Sequence, residues 1–321
     1  MQMMKKIFLT ALFYFLVFSA FTQTLQYAYP VHFLTLDIEQ QTVKMAYMDV
    51  NPSNSNGKTV VLLHGKNFNG YYWKGVIAFL TAAGYRVVVP DQVGWGQSDK
   101  PNIHYSFHLL AANTKKLLDT LGITKIDLVG HSMGGMLATR FTLMYPAIVE
   151  KLIYENPIGL EDYKTFVPYH STEVQYANEL KASFESLKKY QQGYYPQWKP
   201  EYDQYVAAQF EALQIPDFKQ ATWASALTYQ MIYEQPVVYE FKKIKSPTLI
   251  IIGQADRTIV GKNLLSKKEQ AQHGQYPQLG KMLHQQIEHS KLIELKGVGH
   301  IPHIQVPGVF KKALLQFLQK D

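Results

Sequence analysis

An apolar run, Ile126-Asp127-Leu128-Val129, passes through Gly130-His131-Ser132-Met133-Gly134-Gly135 into the helix-forming stretch Met136-Leu137-Ala138-Thr139-Arg140-Phe141. Strand, Gly-x-Ser-x-Gly, helix constrains this chain more than any other feature of it. A serine at so sharp a strand-to-helix turn sits in a strained backbone conformation, and side chains two residues before or after it would collide with the turn, which is why glycines flank it. The turn pushes the hydroxyl into the open and leaves the amide of Met133 facing the place where an oxyanion would develop. Glycine-rich βα turns that merely connect two elements share the same tripeptide spacing, so the rest of the chain has to decide what this one means.

Three further segments follow in an informative order. Thr59-Val60-Val61-Leu62-Leu63 reads as a buried parallel strand and ends in His64-Gly65-Lys66-Asn67; in an open α/β sheet the loop at its carboxyl end lies beside the turn at Ser132. The strand Pro247-Thr248-Leu249-Ile250-Ile251-Ile252 runs into Gly253-Gln254-Ala255-Asp256-Arg257-Thr258. The short strand Leu292-Ile293-Glu294-Leu295 is followed by Gly297-Val298-Gly299-His300-Ile301-Pro302. Serine, aspartate and histidine thus occur in that chain order, each after its own strand.

On these residues the chain resembles the α/β-hydrolase superfamily from about residue 40 to the C-terminus, including the glycine-rich Asp91-Gln92-Val93-Gly94-Trp95-Gly96-Gln97-Ser98. The resemblance implies an α/β fold: a mostly parallel eight-stranded sheet flanked by helices, with a helical cap insertion. It implies Ser132 as nucleophile, His300 as its base and Asp256 as the acid that holds the imidazole tautomer. Glu155, at the end of the strand before the cap, is the rival acid, and His303, three residues past His300, is the rival base, expected at the edge of the site. Asp91 matches a residue that is usually structural. The amides of Met133 and Lys66 would form the oxyanion hole. The Lys66 side chain is expected to point to solvent, with an acidic substrate group at the pocket mouth as the alternative. The extended His-Gly-Gly-Gly loop of some lipases and the His-Gly-Gly-Pro-Gly pattern of proline iminopeptidases are both absent from this sequence. Serine at the elbow sets the chain apart from haloalkane dehalogenases and epoxide hydrolases, which carry aspartate there.

The chain has 321 residues, 47% hydrophobic and 18% charged, enough for one large α/β domain with an insertion. It has no cysteine, so disulfides and thiol nucleophiles are excluded. Residues 1–22 have the form of a secretory signal peptide: Lys5 and Lys6, an apolar run over 7–18, then Ser19-Ala20-Phe21-Thr22 before Gln23. An uncleaved membrane anchor is the alternative; otherwise the exported chain, periplasmic or secreted, keeps no stable membrane span. Its removal would lower the formal charge from +7 by two lysines to +5. The lysines are scattered, so no nucleic-acid partner is expected. No metal or cofactor motif is read.

The expected organisation is core over 23–156, cap over 157–245 and core again over 246–321. Helices are expected over 72–83, 109–121 and 281–288, with a turn-rich piece at 274–280 and a C-terminal amphipathic helix after Pro307. Eleven of the 22 tyrosines fall in the cap segment. Trp198, Trp223, Tyr194, Tyr195, Tyr229 and Tyr233 are the candidates for lining a pocket beneath it, the alternative being that most of them pack the cap onto the main domain. The activity these features imply is metal-independent hydrolysis of a small to medium carboxylic ester through an acyl-enzyme. The alternatives are carbon–carbon, amide or thioester hydrolysis on the same triad, or a non-catalytic ligand-binding member of the fold.

Overall fold

A computed structural model describes residues 26–320; the expected signal segment, 1–22, lies outside them. Eight strands form one sheet in the order β1-β2-β4-β3-β5-β6-β7-β8. In chain order they are β1 (Val31–Ile38), β2 (Gln41–Val50), β3 (Thr59–Leu63), β4 (Arg86–Pro90), β5 (Ile126–His131), β6 (Val149–Glu155), β7 (Thr248–Gly253) and β8 (Ser290–Leu295). β1 and β2 form an antiparallel hairpin, and β2 runs antiparallel to β4. From β4 to β8 every pairing is parallel.

The central strands are apolar on both faces because helices cover both. Side chains alternate along a strand, so Val60 and Leu62 point one way while Val61 and Leu63 point the other. The first pair packs with Trp73, Val76, Ile77 and Leu80 of the α1 region (Lys74–Ala82) and with Phe310 and Leu314 of the C-terminal helix Pro307–Leu318. The second pair packs with α2 (Phe107–Thr120) and α3 (Met133–Met144). Ser106 caps α2, accepting from the Leu109 amide at 3.0 Å, so the helix starts at Phe107, two residues before its expected start.

Between β6 and β7 lie four α-helices: α4 (Thr172–Glu179), α5 (Phe184–Gln192), α6 (Asp203–Phe210) and α7 (Phe218–Glu234). After β7 come α8 (Lys267–Gln272) and α9 (Tyr276–Gln286). Here the sequence reading needs correction. The turn-rich piece is largely the first half of α9, with Pro277 in its first turn, where a missing N–H costs nothing. α8 begins with a capping box between Ser266 and Glu269. Residues Pro302–Gln305 form the short helix α10, and the C-terminal helix Pro307–Leu318 is α11. Among the described residues no helix is long and apolar enough to cross a membrane.

Candidate active site

The carboxyl ends of β3, β5, β6, β7 and β8 deliver the site. At the end of β5, Ser132 has φ 56° and ψ −121°, a region that a non-glycine residue occupies only when its surroundings force it. The forcing is close packing. A Cβ on Gly130 would meet the Gly134 carbonyl, and a Cβ on Gly134 would meet the Leu63 carbonyl. Strand end and helix start therefore approach at backbone contact, and the intervening residue turns outward.

His300 Nε2 lies 3.0 Å from Ser132 Oγ, and His300 Nδ1 lies 2.7 Å from Asp256 Oδ2. Asp256 can only accept, so Nδ1 carries the proton and Nε2 is free to take one from Ser132. Both side chains of the His–Asp pair are fully buried. Asn156 donates to Asp256 Oδ2 at 2.8 Å, while the amide and hydroxyl of Thr258 donate to Oδ1 at 2.9 and 2.7 Å. Burial alone would push the Asp256 carboxyl up; the facing His300 and these donors more than offset it and hold the carboxyl below its usual range. Asn156 escaped sequence reading. Its own φ is 37°, and its side-chain oxygen Oδ1 accepts from the Gly253 amide at 2.9 Å, so it ties the end of β6 to the Asp256 loop.

The two rivals named from the sequence turn out to be partners. Glu155 accepts from the His303 amide at 2.7 Å, and His303 Nδ1 lies 2.9 Å from both its carboxylate oxygens. The His303 ring stacks on Trp73, with centroids 4.4 Å apart. Glu155 also touches the elbow through its backbone, whose carbonyl accepts from the Ser132 amide at 3.2 Å. Neither side chain is among the hydrogen-bond partners of Ser132 or Asp256.

A second buried chain of hydrogen bonds crosses under Ser132. The His300 carbonyl is an acceptor, so His131 Nε2, 2.9 Å away, must carry the proton. His131 Nδ1 then accepts from the Tyr72 hydroxyl at 3.0 Å, which itself accepts from the Gly65 amide at 3.0 Å. Burial, followed by the neighbouring His300 and His303, pushes His131 well below its usual range, in keeping with a neutral ring. The loop carrying Lys66 and the loop carrying His300 are thus joined through one tyrosine and one histidine.

The amides of Met133 and Lys66 donate to no acceptor among the described residues. Met133 opens α3, where amides have no helical partner. A Cβ built on Gly65 would lie 3.0 Å from Ser132 Cβ, so the Lys66 loop abuts the elbow. Asp91 is structural, as expected: its carboxylate accepts from the amides of Gly70 and Gln97 and from the Tyr27 hydroxyl, at 2.6, 2.8 and 2.6 Å.

A cavity of about 920 Å³ opens over Ser132. Of the six aromatic candidates, Tyr194 and Tyr229 line it. The other four pack elsewhere: Tyr195 stacks on Tyr202 and Trp198 meets both edge-on, the Trp223 indole donates to Asn102, and the Tyr233 hydroxyl donates to the Val167 carbonyl. Tyr190, 52% exposed, is a wall residue that the sequence did not single out. Leu187, Tyr190 and Tyr194 recur at three- and four-residue spacing along α5 and just beyond it, which is the signal that marks them as one face. Tyr194 reaches further, its ring stacking on His300 and its carbonyl accepting from the His300 amide at 2.8 Å. The Lys66 side chain does not point to solvent. Its ammonium lies on the cavity wall, 2.9 Å from Ser225 Oγ and 3.6 Å from Glu179.

An uncharacterized protein of Mycobacterium tuberculosis is 41% identical over 105 residues, 33% of this chain. The chain spans only 30% of that relative's length. A 2-hydroxy-6-oxononadienedioate/2-hydroxy-6-oxononatrienedioate hydrolase of Paraburkholderia phymatum is 31% identical over 216 residues, 65% of this chain and 74% of that protein. The crystal structure of a probable hydrolytic enzyme from Pseudomonas aeruginosa superposes with a TM-score of 0.90 at 46% identity, covering 92% of this chain and 96% of the other. The family model for the alpha/beta hydrolase fold matches residues 58–307. Together with the parallel sheet and the elbow at Ser132, that match shows that the chain belongs to the α/β-hydrolase family.

Proposed function

We propose that the protein is a serine hydrolase that cleaves a small to medium carboxylic ester through an acyl-enzyme. The observation that carries this reading is the continuous line from Ser132 Oγ to His300 Nε2, at 3.0 Å, and from His300 Nδ1 to Asp256, at 2.7 Å, beneath an open cavity. His300 takes the hydroxyl proton as Ser132 attacks the carbonyl carbon, and Asp256 stabilises the imidazolium. The amides of Met133 and Lys66 receive the tetrahedral oxygen. Collapse expels the alcohol, protonated by His300; water, deprotonated by the same ring, then attacks the acyl-enzyme and frees the acid.

A fluorophosphonate probe and p-nitrophenyl esters of increasing acyl length test this. Ser132 should label, His300→Ala should abolish labelling, and short esters should turn over. Unchanged labelling in His300→Ala would sink the mechanism. Carbon–carbon bond hydrolysis is the second reading, supported by the name of the Paraburkholderia relative. Intact labelling with no turnover of any ester would favour it. The 1–22 segment supports export, which retention of the full-length chain in the cytoplasm would contradict.

A further inference from the structure

Lys66 is an unusual wall residue. Its carbonyl is pinned by the Trp95 indole at 2.6 Å, and its amide faces the oxyanion position, yet its side chain turns up into the cavity with 16% of its surface exposed. The cavity that its ammonium faces is also lined by Tyr190, Tyr194 and Phe68, and a largely buried cation is costly unless something anionic meets it. Ser225 takes one of its three donors. Glu179 stands 3.6 Å away, longer than a charge-assisted hydrogen bond, and its Oε1 is already held by Gln175 at 2.6 Å. Four lysines line the cavity against two glutamates, so its charge is on balance positive. Lys100 and Lys262 place their ammonium groups on backbone carbonyls, of Gly96 and Ser98 and of Arg257, and Lys181 is exposed. Lys66 differs in being one residue from the backbone that touches Ser132.

We infer that the cavity accepts an acyl group ending in a carboxylate, which docks on the Lys66 ammonium in place of the loose contact to Glu179. The inference rests on the ester-hydrolase reading and names its substrate class: the monoester of a dicarboxylic acid. Ser132 attacks the ester carbonyl, the alcohol leaves with a proton from His300, and water completes the dicarboxylic acid, with the distal carboxylate unchanged throughout. The distal group is bound alike in the ground and transition states, so its effect falls on KM more than on kcat.

The experiment compares mono-p-nitrophenyl adipate with methyl p-nitrophenyl adipate, the same chain with its charge masked. The wild-type protein should favour the acid by about tenfold or more in kcat/KM, as expected for a hydrogen bond to a charged group, and the preference should shrink with added salt. Lys66→Met should bring the ratio of the two substrates to unity or below, Lys66→Arg should keep much of it, and Glu179→Gln should raise it. Fluorophosphonate labelling checks that each variant is folded. A wild-type ratio near one, or a Lys66→Met variant that slows both esters equally, overturns the inference and leaves the ester reading standing. Turnover of neither ester overturns the ester-hydrolase reading and this inference with it.

Discussion

Two imidazole–carboxylate pairs, whose histidines sit three residues apart in sequence, serve different ends. His300–Asp256 and His303–Glu155 are both buried, and both join Nδ1 to a carboxylate at hydrogen-bond distance. His300 has its second nitrogen on Ser132, whereas His303 Nε2 is buried with no partner among the described residues. What separates a reactive pair from a fastening is therefore where the second nitrogen points. Glu155 holds the amide and ring of His303, and so anchors the loop that carries His300 to the strand that carries the elbow.

The comparison can be broken at its strongest point first. His300→Ala should lower kcat/KM by about 10⁴–10⁶, whereas His303→Ala should cost less than about tenfold in rate and about 3 kcal/mol in stability, because Glu155 is left buried and uncompensated. Ester kinetics and urea unfolding measure the two, and equal rate losses would erase the distinction. Asp256→Asn should lower kcat about 10⁴-fold by removing the acceptor that fixes the tautomer, while Glu155→Gln, which keeps an oxygen for the His303 amide, should stay within about tenfold of wild type. Tyr72→Phe strands the Gly65 amide and His131 Nδ1, so kcat should fall about tenfold with KM little changed, and stability by about 1–3 kcal/mol. A fall in KM alone would show that the Tyr72–His131 link does not align the two loops.

The smallest effect comes from a carboxylate with no hydrogen bond among the described residues. Asp127, at the start of β5, is buried and neither oxygen has a hydrogen bond among the described residues. Burial pushes its carboxyl up to about 6, where Asp256, equally buried but held by His300 and three further donors, is pulled down. A carboxyl whose folded value lies above its unfolded value of about 4 favours folding at low pH and loses that contribution as pH rises through 6. Asp127→Asn should thus raise unfolding stability at pH 7.5 by about 1–2 kcal/mol and flatten its slope between about pH 4 and 6. Chemical denaturation across that range measures it; a loss of stability at pH 7.5 would refute it.

How much of this the sequence discloses depends on what kind of interaction sets it. β3 matches its expected bounds to the residue, because a buried parallel strand writes a continuous apolar run. The elbow and the Ser132, Asp256 and His300 positions were legible because glycine spacing and strand ends are local signals. α8 and the first half of α9 were not, since their polar, proline-containing starts look like turns until capping hydrogen bonds are seen. The Glu155–His303 pairing spans 148 residues and has no local signature. For the same reason the direction of the Lys66 side chain was misjudged: the cap helices that receive it are more than a hundred residues away. Of the six aromatic candidates, Tyr194 and Tyr229 reach the cavity and four pack elsewhere, because composition places tyrosine and tryptophan in the cap without saying which face each occupies.

The Tyr194 carbonyl that receives the His300 amide has a consequence for engineering. A Cβ on Gly299 would strike that same carbonyl, and Pro196 stands close beside it, so the segment after α5 is wedged against the base. Cap and core are therefore not interchangeable parts. Grafting in another cap, or trimming this one back to a linker between β6 and β7, would remove the groove in which the imidazole lies along with the substrate walls. Variation in substrate range is open at α4 and at the cavity-facing side chains of α7, and closed at the few residues where the insertion serves as scaffold for the chemistry.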